Sequence, residues 1–190
     1  MKSVYYIFLI LLIGTSACTT KQKHTAQTAD STAAPALAIT DAPRPVADRL
    51  TRLGLTSDSH WRGLNLGDDF DSVKKTEKGE PFEQDARHVG YAVDFPNLES
   101  MDVLYEQQNE KISAITADLY LNNRFAVDEC QKALSDHFTN RYGTPKTVNG
   151  NSVWHGPVSE HIRLSDVSKG KDYGLKVSIT SAGRVTASAK

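Results

Sequence analysis

Three stretches of the chain alternate apolar and polar side chains with a period of two. They are Val89/Tyr91/Val93/Phe95, Met101/Val103/Tyr105 and Tyr173/Leu175/Val177/Ile179. Strict alternation is what a strand with one face in a core and one face in water requires. A sheet built from such strands needs a second layer on its apolar side only, and this is the strongest constraint on the fold. Ile112 to Leu121, Ser152 to His155 and His161 to Leu164 read as further strands. Pro96-Asn97, Gln108-Asn109 and Lys169-Gly170-Lys171 supply turn chemistry between neighbours.

Three helices are predicted around these strands. Pro45 to Gly54 forms a short entry helix, with Val46, Leu50 and Leu53 on one side, Pro45 in its first turn and Gly54 as its stop. A second helix is expected to start from a cap at Asp68 or Asp69 and to carry Phe70 and Val73, ending at Gly79-Glu80-Pro81. The third spans about Phe125 to Tyr142. Its apolar stripe is Val127, Cys130, Leu134, Phe138 and Tyr142, and Gly143-Thr144-Pro145 ends it.

Both later helices stop at Gly-x-Pro and are followed by three strands. The expected fold class is therefore α+β: two tandem α-β-β-β repeats, about 61–121 and 122–180, forming an antiparallel sheet with helices on one face. The pattern of Gly67, Val73, Gly79 and Pro81, echoed by Val127, Gly143 and Pro145, resembles two related families. One is the small lipoprotein component of the outer-membrane protein assembly machine. The other is the β-lactamase inhibitor protein, built from two tandem repeats. The resemblance covers roughly Trp61 to Ile179, and the second copy lacks the leading Gly. It implies a fold and a style of protein binding, and it carries over no functional residue.

The ends of the chain have a different character. Met1-Lys2-Ser3 is a short basic start, Val4 to Gly14 is an uncharged apolar run, and Thr15-Ser16-Ala17 leads into Cys18. This order is that of a removable export signal over residues 1–17. The run is short for a spanning helix, which needs about 20 apolar residues. Thr15-Ser16-Ala17-Cys18 is similar to a lipobox, with Thr15 where Leu is usual. Cys18 is thus the expected lipidation site (the palmitate of a lipoprotein), and the membrane is the expected partner through that lipid. From Thr19 to Val46, thirteen residues are Ala or Thr, three are Pro and none is aromatic. Such a stretch cannot bury enough apolar surface to offset its ordering entropy, so residues 18–46 are expected to form a disordered tether. One α+β domain is expected over 47–180, with a frayed tail over 181–190.

Function is less legible. With 22 basic and 23 acidic residues and no basic stripe, the sequence gives no sign of a nucleic-acid partner. No Gly-x-Ser-x-Gly elbow, Gly-rich phosphate loop or His-Glu-x-x-His motif occurs, and no catalytic residue or cofactor is expected. Asp68-Asp69-Phe70-Asp71 lacks the alternating ligands and the closing Glu of a calcium loop. His155 and His161 fall on neighbouring strands, but two imidazoles are few for zinc, so no metal is expected. Cys130, on the apolar stripe of a helix, is expected to be a buried and inert thiol.

Alternation also assigns the opposite face. Met101, Val103 and Tyr105 inward send Leu104 outward; Ile115, Ala117 and Leu119 inward send Tyr120 outward; Val153 inward sends Trp154 outward. Leu104, Tyr120 and Trp154 are therefore the expected partner-binding residues. The preferred reading is a membrane-anchored envelope lipoprotein, in the outer membrane and facing the periplasm, that binds a protein through an open sheet face. The alternative is a cell-envelope enzyme with a site not identified by any motif.

Overall fold

Helix ends in this chain are set by residues that satisfy or release backbone groups. A computed structural model describes residues 46–181, with side chains from residue 49. The expected export signal over 1–17, Cys18, and the expected tether up to residue 45 lie outside the described residues, as do residues 182–190. Helix α1 (Val46–Arg52) closes at Gly54, whose φ of 75° lets the amide reach back to Thr51 O at 3.0 Å. Helix α3 (Arg124–Tyr142) starts where the Asn123 side chain accepts from the Ala126 amide at 2.9 Å, and ends where Gly143 N–H donates to Thr139 O at 2.8 Å.

Helix α2 (Asp71–Thr76) is shorter than expected, and neither Asp68 nor Asp69 caps it through its side chain. Asp68 accepts instead from the Asn65 amide at 2.7 Å, and Asp69 from Lys111 Nζ at 2.5 Å. Phe70, at the capping position, has no side-chain oxygen to offer, and Val73 alone is buried.

Eight strands follow: β1 (Glu83–Gln84), β2 (His88–Asp94), β3 (Ser100–Gln108), β4 (Lys111–Leu121), β5 (Lys146–Val148), β6 (Asn151–His155), β7 (Glu160–Asp166) and β8 (Tyr173–Ser181). They form one antiparallel sheet in the order β1-β2-β3-β4-β8-β7-β6-β5. The class is α+β with an open antiparallel sheet. Counted outward from the β4–β8 seam, the two halves mirror each other. The outermost strands are only two and three residues long, which limits the unpaired edge each half offers.

The register lines up the core in rows across the sheet. One row is Val89, Tyr105, Ile115, Ile179, Ile162 and Trp154; the next is Tyr91, Val103, Ala117, Val177 and Leu164. All of these are buried, and α3 packs across them with Val127, Cys130, Leu134 and Phe138. Each such side chain contributes roughly 1.5–3 kcal/mol relative to exposure.

The segment between α1 and α2 closes the layer. Trp61 is fully buried, and Arg62 holds Glu77 through two hydrogen bonds of 2.8 and 3.0 Å. Glu77 also accepts from the Tyr105 hydroxyl at 2.5 Å. A buried carboxylate needs such a full set of donors, because an unpaired one would cost several kcal/mol. The Arg62 stem lies over Gly54, where a Cβ would stand 2.8 Å from its Cγ.

Candidate functional site

The face of the sheet turned away from α3 carries the expected anchors in part. Leu104 faces outward and is half-buried; Tyr120 faces outward, is 50 % exposed, and donates from its hydroxyl to Asp102 at 3.1 Å. The third expected anchor is a correction. Trp154 points toward α3: it is 1 % exposed, its ring lies 5.4 Å from that of Phe138, and its indole N–H donates to Thr139 Oγ1 at 3.3 Å. The register explains the reversal. Trp154 sits opposite Ile162 and Val153 opposite Arg163, so Val153 takes the outward position, where it too is buried. Trp154 belongs to the core and cannot anchor a partner on the other side.

Sequence reasoning missed Phe82, which is 51 % exposed and lies on that outer face. Its ring occupies the space where a Cβ on Gly90 would stand, with Cζ 2.5 Å from that point. A glycine inside an alternating strand was the available signal, since it marks a close approach. In the middle of the sheet, the outer face carries the small residues Thr116, Ser178, Ala114 and Gly174 beside the Asp118–Lys176 ion pair. No helix packs there among the described elements. Antiparallel sheets commonly leave one face to solvent or a partner in this way.

Elsewhere, several titratable groups are held by structural partners. His60 Nδ1 accepts from the Leu66 amide at 3.2 Å, so the proton of the neutral ring sits on Nε2, 3.5 Å from Glu160 Oε1. Burial pushes its pKa below the usual histidine range; Arg141 adds to this and Glu160 opposes it. Nδ1 is hydrogen-bonded, whereas the buried Nε2 faces Glu160 without a hydrogen bond, so the ring sets the segment before α2 beside the start of β7.

Cys130 borders a crevice of about 40 Å³ lined by Arg49, Leu53, Phe95 and Leu121. That volume is far below the roughly 300 Å³ at which small-molecule sites begin. Burial pushes the thiol pKa up to about 11, which disfavours the nucleophilic thiolate.

His155 and His161 do come together, as a cross-strand pair with ring centroids 4.4 Å apart. Burial and then His155 lower the pKa of His161. Among the described residues, no group of three or more His, Cys, Asp or Glu side chains is placed to hold a metal ion. No described helix is long and apolar enough to cross a membrane. Compared with known proteins, no family model, curated protein or solved structure matches this chain.

Proposed function

We propose that this chain is a lipid-anchored lipoprotein of a bacterial cell envelope whose domain recognises a protein through the sheet face opposite α3. The observation that carries the reading is the asymmetry of the sheet: α3 covers one face, while the other presents Tyr120, Leu104 and Phe82 among small polar residues. Exposed aromatic and aliphatic side chains on a rigid platform are what protein recognition uses as anchors. The anchor half of the proposal rests on the order of basic start, apolar run and small residues before Cys18. The tether of residues 18–46 would hold the domain clear of the outer membrane on its periplasmic side.

The proposal extends to the internal organisation. Helix α2 is followed by β1 to β4 and α3 by β5 to β8, each with one short edge strand beyond the three expected, and the mirrored strand order fits two tandem repeats joined at the β4–β8 seam. This is the arrangement implied by the resemblance of the Gly-x-Pro helix ends to the assembly lipoprotein and β-lactamase inhibitor families.

The test is capture of crosslinked partners from cells by the full chain, tagged at its C-terminus. Tyr120→Ala should reduce recovery roughly thirtyfold, as the loss of an anchor worth about 2 kcal/mol requires, while costing under about 1 kcal/mol of stability. Equal recovery by the two chains would refute the binding face. In the same cells, Cys18→Ser should abolish fatty-acid labelling and release the chain from membranes; undiminished labelling would refute the anchor.

A further inference from the structure

The outward positions of the sheet are divided by charge along the β4–β8 seam. On β1 to β4, the register up to the shift at Glu106/Gln107 sends Glu83, Asp94, Asp102, Glu106 and Asp118 outward, with His88 beside Glu83 and no Lys or Arg among them. On β5 to β8 it sends Lys146, Arg163 and Lys176 outward, with His155 and His161 and no carboxylate. At the seam itself, Lys176 Nζ meets Asp118 Oδ1 at 3.0 Å. Arg163 and Lys146 are exposed.

One half of the face is thus acidic and the other basic, on a scaffold whose strand order is its own mirror image. A two-fold axis running along the strands at the seam exchanges the halves. It places β3 of one copy over β7 of the next and the acidic half over the basic half, in both directions at once. A contact of this kind is isologous and closes at two copies.

We propose that the protein recognised by this face is a second copy of the same chain, docked sheet to sheet with opposite charges matched. The proposal rests on the reading of the outer face as a protein-binding surface and names its partner. The register sets Arg163 in the row of Leu104, two residues or about 7 Å along the strands from the row of Asp102, so the long Arg163 side chain reaches Asp102 of the partner subunit on a diagonal, and Asp102 meets the partner's Arg163 in the same way. Sheets stacked face to face align within about 30° and lie roughly 10 Å apart, which the small outward residues Thr116, Ser178 and Ala114 permit. Six strands of about seven residues give each copy a platform of roughly 700 Å² at the usual strand spacing and rise. A stable interface takes about 800 Å² per partner. Size and charge both suit a dimer, and the matched charges make its assembly sensitive to salt.

The experiment uses two full-length copies carrying different tags in one cell, with co-capture of the second tag as the readout. Wild-type copies should co-purify, less so in roughly 0.5 M salt than in 0.1 M. Arg163→Glu in both copies, or Asp102→Arg in both copies, should cut co-capture about tenfold or more by setting like charges opposite each other. Arg163→Glu and Asp102→Arg combined in each copy should restore it, which no unfolded variant could do. Lys132→Glu, on the exposed side of α3, should leave it unchanged. Wild-type copies that fail to co-purify, or a combined variant no better than the single ones, would overturn the dimer. In that event, another protein captured by wild type and lost with Tyr120→Ala leaves the binding face standing with a different occupant. If Tyr120→Ala loses no captured protein either, both readings fall.

Discussion

Trp154 and Tyr120 look alike in the sequence, as large aromatic residues near the ends of strands. Their surroundings give them opposite roles. Trp154 lies against Phe138 and under Thr139, whereas Tyr120 stands half out of the sheet with one hydrogen bond to Asp102. Trp154→Ala should therefore destabilise the domain by about 3–5 kcal/mol, the cost of a lost core aromatic with its cavity. Tyr120→Ala should cost under about 1 kcal/mol, because it removes one exposed hydrogen bond and little packing. Urea melts of the two variants check this. Equal destabilisation would mean that the two faces of β6 have been exchanged.

At the scale of elements, legibility followed the strength of the local signal. Helix α3 was readable to within a residue, because the stripe from Val127 to Tyr142 and the stop at Gly143 agree on its limits; its cap at Asn123 was not read from the sequence. Strands β2, β3 and β8 were readable from alternation, and β4, β6 and β7 as stretches between turn signals. The edge strand β5 was not, although Asn149-Gly150 is a hairpin signal; both residues take positive φ, 51° and 79°. Strand β1 is two residues long and leaves no periodicity to find. The orientation of β6 failed for a different reason. Val153 and Trp154 are adjacent and both apolar, so the sequence offers two equally good faces. The hairpin from Gly156 to Glu160 decides between them by setting Trp154 opposite Ile162. Cap choice at α2 also escaped the sequence, because Asp68 and Asp69 found tertiary partners in Asn65 and Lys111. Of the outer face, the outward positions of Leu104 and Tyr120 were legible. Phe82 and the partition of charge were not, since they depend on which strands become neighbours.

For the whole molecule, three histidines make stability depend on pH. Burial is the leading cause that holds His60, His137 and His161 below the ordinary value of 6.5; Arg141 adds to it for the first two and His155 for the third. The unfolded chain titrates these side chains near 6.5, so below that pH it binds more protons than the folded chain. Their contribution is then fully present above about pH 6.5 and is lost as the pH falls through that value toward the lowered folded pKa values. Melting temperatures at constant ionic strength should decline from pH 7.5 to pH 5, and His137→Gln should flatten the decline. A melting temperature that holds steady or rises on acidification would contradict the burial of these rings.

The central claim is that recognition happens on the sheet face opposite α3, and a photo-crosslinking map in intact cells tests it most directly. A photoreactive phenylalanine analogue is placed at Ser178, in the middle of the outer face, and in a second chain at Asp136, on the exposed side of α3. Illumination should yield a discrete protein adduct from position 178 and none from position 136. Adducts from position 136, with position 178 silent, would place recognition on the helical side and contradict the account.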